Sequence, residues 1–154
     1  MDGNLKPKAF EPYVQRTVGF GEAIKRAYKN YFNFSGRASL SEYWWFYLYS
    51  YLFSILFMLL IFIVGDFITS MAGNPNNIIS TIVLVIAFLV MFAALLPSLS
   101  LLVRRLHDIG KGGGWIFISF VPFIGGIWLL VLTLQPSEPY ANRFGPIPNA
   151  QPLA

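Results

Sequence analysis

Polar and apolar positions divide the chain into four blocks. In residues 20–32 they alternate with helical period: Phe20, Ile24, Ala27, Tyr28 and Tyr31 share one face, and Glu22, Lys25, Arg26 and Lys29 the other. A basic amphipathic helix of this kind lies in a membrane interface with its aromatics among the headgroups and its lysines toward anionic lipid; a short helix packed on the rest of the protein would show the same pattern. Three long apolar runs follow, at about 44–64, 78–103 and 115–134, and none contains a charged residue. The first, at about 1.5 Å of rise per residue, spans close to 31 Å, the thickness of a hydrocarbon core.

The pattern therefore predicts an all-α integral membrane protein: an N-terminal interfacial amphipathic helix plus three hydrophobic helical segments, the third kinked or re-entrant. Ser39 and Glu42 have the spacing of a capping box and would start the first span at the membrane surface. Tyr43, Trp44, Trp45, Tyr47 and Tyr49 crowd its first turns, as in an aromatic belt. Ser50 and Ser54, like Ala94 and Ser98, are small residues four apart that allow close helix contact. Gly73-Asn74-Pro75 marks the turn between the first two runs. Pro97 lies inside the second run and predicts a kink there, because proline removes a backbone hydrogen bond.

The third run is interrupted by Pro122-Phe123-Ile124-Gly125-Gly126. It reads first as a kinked crossing. The alternative is a re-entrant segment whose freed backbone groups are buried by other helices. On either side of the helical membrane domain, residues 20–134, the sequence predicts loose chain. Residues 1–19 form a flexible polar tail with Pro7 and Pro12, and residues 135–154 a Pro-rich C-terminal tail holding five of the ten prolines.

Composition agrees with this reading and removes several classes of chemistry. Of 154 residues, 56% are hydrophobic and only 12% charged, about half the charge of a soluble domain. With no cysteine, disulfides and thiolate chemistry are excluded, and a single histidine excludes a multi-histidine metal site within one chain. No cofactor, metal ion or nucleic acid is expected. The first apolar run begins too far along the chain for a secretory signal, so it is expected to persist in the mature protein.

Charge sets an orientation. Lys6, Lys8, Arg16, Lys25, Arg26, Lys29 and Arg37 precede the first run; the first link, with Asp66, has no cation; the second has Arg104, Arg105 and Lys111. Positive residues near spans stay cytoplasmic, which predicts a multi-pass topology with the N-terminus and the second link inside. Three crossings would put the C-terminus outside, and a re-entrant third segment would return it.

Two polar groups then meet at the cytoplasmic face: Arg37 and Glu42, and Arg104, Arg105, His107, Asp108 and Lys111. They form a candidate cluster for an anionic lipid headgroup or another ligand, the arginines supplying bidentate donors, which Asn142 and Arg143 would join if the C-terminus returns to that side. The structural reading has Glu42 capping a helix and pairing with an arginine, Arg37 anchoring to lipid phosphate, and Arg104 and Arg105 enforcing topology. A catalytic reading would make His107 a general base with Asp108 or Glu42 as its partner, but adjacent helical residues point in different directions and no nucleophile motif is present, so no catalytic residue is assigned. Uncharged spans argue against an ion pump in a single protomer, although an oligomeric pore lined by hydroxyls stays open.

Phe34-Ser35-Gly36-Arg37-Ala38-Ser39 with Glu42-Tyr43-Trp44-Trp45-Phe46, then Arg104-Arg105-Leu106-His107-Asp108 with Gly110, then Asn142-Arg143-Phe144-Gly145-Pro146 closely resemble the motifs of the domain-of-unknown-function family numbered 805. The resemblance covers roughly residues 28–148 and implies a small, compact helical protein of the bacterial inner membrane with no established activity. It raises the chance that the three motifs act together, which would favour the re-entrant segment. The expected function is a non-enzymatic structural, lipid-contacting or partner-binding module. Its partners would be the bilayer with its anionic headgroups, a second copy, or another membrane protein. The alternatives are a subunit of an oligomeric transporter or channel and, third, an enzyme acting on lipid headgroups.

Overall fold

A computed structural model of the chain describes residues 13–74 and 77–152. Lys6, Lys8, Pro7, Pro12 and Pro75 lie outside the described residues. The order of elements is β1 (Tyr13–Gln15), α1 (Phe20–Lys29), α2 (Leu40–Ala72), α3 (Ile78–Asp108), a 3-10 segment (Gly113–Phe120), α4 (Gly125–Leu134) and β2 (Ala150–Pro152).

The amphipathic helix α1 packs on α2 and α3 through Ala23 and Ala27, both fully buried and one turn apart. Small side chains there let the α1 backbone lie close to its neighbours. Lys25 and Lys29 stay exposed on the far side. The helix ends at Lys29, short of the expected 32, and Asn30 caps it, its backbone N–H (3.0 Å) and side-chain amide (2.9 Å) both donating to the Arg26 carbonyl.

Both long helices overrun the apolar runs that predicted them. α2 has 33 residues and α3 has 31, so each is long and apolar enough to cross a bilayer. Their lengths, roughly 45–50 Å, exceed the thickness of a hydrocarbon core, about 30 Å. Ser39 caps α2 as expected, its hydroxyl accepting from the Glu42 N–H at 3.3 Å. The reciprocal half of the capping box is not made: the Glu42 carboxylate turns to Arg104 instead. Gly73, at φ 63, ends α2 in the left-handed conformation that glycine adopts without a Cβ penalty.

Pro97 does not break α3. Lacking an N–H, it leaves the carbonyl of Ala93 without its helical partner. The hydroxyl of Tyr31, just beyond α1, donates to that carbonyl. One turn on, the fully buried Ser100 hydroxyl donates to the Asn30 carbonyl at 3.1 Å. The end of α1 thus docks on the turn that proline disturbed.

The third apolar run differs most from expectation. In place of one kinked helix there are two pieces folded on each other. The 3-10 segment leaves α3 with Gly113 against Val103, where a Cβ would stand 3.0 Å from Cγ1. α4 comes back, and Leu132 packs beside Leu106 and Ile109 in the last turns of α3. Where the pieces cross, a Cβ on Gly125 would overlap the backbone carbonyl of Ile118, so only glycine permits the approach. At the tip Phe123 has φ 65 and is 96% exposed. The segment is a hairpin that ends where it began, and α4, with ten residues, is only about 15 Å long.

The flanking segments are not loose where they are described. β1 and β2 pair antiparallel, Val14 opposite Gln151, and Val18 is buried. This brings the two ends of the described chain together. The apolar core under them gathers Ala27, Ala38, Phe46 and Leu101, with Ile24, Tyr43 and Tyr49 packed around it.

Candidate functional site

The site is built on the last turn of α3. Gly110, at φ 73, closes that helix in a Schellman arrangement: its N–H reaches the His107 carbonyl (3.1 Å), and the Lys111 N–H reaches that of Leu106 (2.9 Å). Arg104, Arg105, His107 and Asp108 are all buried. A cluster of four ionisable side chains can be buried only if each finds partners, because an isolated charge in a low-dielectric interior is strongly unfavourable.

Asp108 and Arg105 are fully buried. One oxygen of the Asp108 carboxylate accepts from Arg37 Nε at 2.9 Å, the other from Arg105 Nη1 and the Ser137 hydroxyl. The two guanidinium groups direct their remaining donors to backbone carbonyls, most of them in the segment after α4. Arg105 reaches Thr133 (3.1 Å) and Gln135; Arg37 reaches Glu138 (2.8 Å), Tyr140 (2.7 Å) and the Asp108 carbonyl (3.2 Å). The Glu138 N–H in turn donates to the Asp108 carbonyl at 3.0 Å. Two arginines from distant parts of the chain thus reel in the Pro-rich segment, whose carbonyls have no helix or sheet to satisfy them.

A second network adjoins it. Arg104 Nη1 donates to Glu42 at 3.2 Å, and Arg26 of α1 stands 3.8 Å from the other Glu42 oxygen. Arg26 also donates to the side chain of Asn149, whose amide reaches the Ser39 hydroxyl at 3.2 Å. Arg104 Nε and Nη2 are buried and have no partner among the described residues. The Ala38 N–H donates to the Arg104 carbonyl at 3.0 Å, seating the Arg37 loop on the end of α3.

His107 faces neither carboxylate. Its Nδ1 lies 3.1 Å from the Gly36 carbonyl, which can only accept, so Nδ1 carries the proton. The ring stacks parallel on Phe144, centroids 3.8 Å apart, and the Arg143 guanidinium lies over Phe144 at 4.7 Å. Asn142 donates to the His107 carbonyl (2.8 Å) and to the Glu138 carboxylate (2.7 Å). Lys111 Nζ sits over the Trp115 ring at 4.9 Å.

The structure therefore brings Arg37, Glu42, Arg104, Arg105, His107, Asp108 and Asn142 into one buried assembly. Lys111 and Arg143 stand beside it, each resting on an aromatic ring. Arg37 meets the chain's own carbonyls, not lipid phosphate, and among the described residues no carboxylate pairs with the imidazole to orient it as a base. Among the described residues, no three His, Asp or Glu side chains converge as metal ligands would. The sequence reading missed Arg26, Ser137 and Asn149. The signal for Arg26 was visible, a cation on the α1 face; Ser137 and Asn149 sit in irregular chain and offered none.

Comparison with known proteins gives the same boundaries. The chain is similar to the inner membrane protein YhaI of Escherichia coli strain K12, 36% identical over 121 residues that cover 76% of this chain and 86% of that protein. It is 35% identical to the inner membrane protein YhaH of the same strain over 128 residues, 80% of this chain and 93% of that protein. No solved structure matches it. The family model for a protein of unknown function, DUF805, matches residues 31–146, which contain Arg37 at one end, Arg143 at the other and the assembly between them: the chain belongs to the DUF805 family.

Proposed function

We propose that this chain is a small multi-pass protein of the bacterial inner membrane that catalyses no reaction of its own and acts as a structural, lipid-contacting or partner-binding module. α2 and α3 cross the bilayer, the 3-10 segment and α4 enter it from the cytoplasmic side and return, and both ends of the chain are cytoplasmic. The observation that carries this reading is how the motif side chains are used. Most of their donors and acceptors are spent on one another and on backbone, and none of the described motif carboxylates or His107 is left free as an open acid or base. An enzyme site needs such groups within reach of a substrate. The positive-inside distribution supports the same orientation, as do the pairing of β1 with β2 and a hairpin whose two ends lie together against α3.

The reading also changes what the arginines do. Arg105 is fully buried and Arg104 is 5% exposed, so their replacement would damage the fold before it altered any contact with lipid. Reporter fusions test the topology. A cytoplasmic reporter fused after Ala154 should be active, and an external reporter inserted after Asn74 should be active too. External activity of the fusion after Ala154 would overturn the two-crossing arrangement.

A further inference from the structure

We propose that Lys111 and Arg143 form a headgroup site for an anionic phospholipid at the mouth of the hairpin, separate from the buried assembly. Among the described residues neither cation has an ion-pair partner, whereas Arg26, Arg37, Arg104 and Arg105 all do. The acid of this stretch, Glu138, accepts from the Asn142 amide and forms no ion pair with either cation. Each cation is held on a ring, Lys111 on Trp115 and Arg143 on Phe144, which fixes the charge without neutralising it.

Beside them lies an open depression of about 480 Å³ lined by Gly112, Gly114, Trp115, Ile118 and Arg143. Two glycines make room in its floor; a Cβ on Gly112 would stand 3.9 Å from Arg143 Nη2. The depression is cationic at Arg143, with Lys111 at its edge over Trp115, and apolar at Trp115 and Ile118 along the 3-10 segment. A phosphate with acyl chains attached has that polarity in that order: the phosphate sits at Lys111 and Arg143, and a chain runs over Trp115 and Ile118. A free anion would use only the first half of the surface. The site deepens the lipid-contacting reading above, and of the proposed topology it needs only that this end of α3 reach a bilayer surface.

The test is native mass spectrometry of the full chain released from micelles holding equal amounts of phosphatidylglycerol and phosphatidylcholine. Phosphatidylglycerol should be retained preferentially, by about fivefold per cation. Lys111→Gln with Arg143→Gln should bring retention near parity, while Lys25→Gln with Lys29→Gln, which removes the same charge from α1, should leave the preference. Circular dichroism on both variants checks folding; should the double variant misfold, Lys111→Gln and Arg143→Gln are measured singly, each lowering the preference several-fold. Equal retention of the two lipids by the unsubstituted chain, or a preference that survives loss of both cations, would overturn the site. So would abolition of the preference by millimolar inorganic phosphate, which would assign the depression to a free anion. None of these outcomes depends on which way the chain faces, so they leave the fusion result standing or falling by itself.

Discussion

The two ends of the helix pair are held in opposite ways. Near the end of α3, ionisable side chains from the Arg37 loop, α2 and α3 itself are buried together, and most of their donors have a named acceptor. Along the rest of α2 and α3 the outward side chains are mostly apolar and exposed, Leu56, Phe62, Leu84 and Phe88 among them. The first region is specified by directed bonds between particular atoms. The second needs only to be apolar, since lipid accepts any such surface equally well. Substitutions should therefore be far more damaging in the first than in the second.

The largest effect is expected at Asp108. Asp108→Ala would leave Arg37 and Arg105 facing each other with no negative charge between them, and breaking a buried pair in this way costs about 3–5 kcal/mol. Unfolding in a denaturing-detergent titration should show a loss of that size, with the segment after Leu134 becoming open to protease. Asp108→Asn keeps one acceptor for Arg37 and should fall between the two. A near-neutral Asp108→Ala would mean that the assembly is not what holds this end together.

Next is Gly125, where the obstruction is backbone, not a flexible side chain. Gly125→Ala should push α4 off the 3-10 segment at a cost of about 1–3 kcal/mol, in the range of other overpacked contacts. Cysteine labelling at Phe123 reads the outcome: the tip should change its accessibility in the variant and not in Gly126→Ala, whose Cβ meets nothing. Equal behaviour of the two variants would argue that the hairpin is not closed at this crossing.

What the sequence made legible follows the same division. Apolar runs without charge announce helices because lipid imposes one rule on every residue in them, and α2 and α3 are where that rule puts them. Ser39 at the start of α2 was legible because helix ends have few solutions. The hairpin was only half legible: Pro122 and Gly125-Gly126 showed that the run breaks, but whether it goes on or turns back is decided by Gly113 meeting Val103 and Leu132 meeting Leu106, contacts between distant positions that periodicity does not encode. For the same reason the site residues could be named without their roles. The charge of Arg37 suggested lipid phosphate, and only its placement against the Glu138 and Tyr140 carbonyls identifies its partners as the chain itself.

A smaller effect is expected where the two regions meet, at Pro97. Tyr31→Phe removes the hydroxyl that serves the Ala93 carbonyl, and hydrogen bonds between membrane helices average about 0.6 kcal/mol with a maximum near 1.7. The informative measurement is a double-mutant cycle with Pro97→Ala, which returns an N–H to that carbonyl. The Tyr31→Phe cost should shrink when Pro97→Ala is present. Additive costs would mean that Tyr31 does not compensate for the proline.

The smallest effects belong to the outward apolar faces, and they probe the comparison from its other side. Phe62→Leu and Phe88→Leu replace one apolar surface by another, in a setting where the folded and unfolded-in-membrane states both face lipid, so each should change stability by less than about 0.5 kcal/mol. A loss of about 2 kcal/mol at either position would be too large for a side chain bathed in acyl chains and typical of one packed against protein. It would mean that a second copy or another membrane protein covers that face, and cross-linking between cysteines placed at Phe62 would distinguish the two. In that case the faces would be as specified as the polar end, and the oligomeric reading would gain the interface it requires.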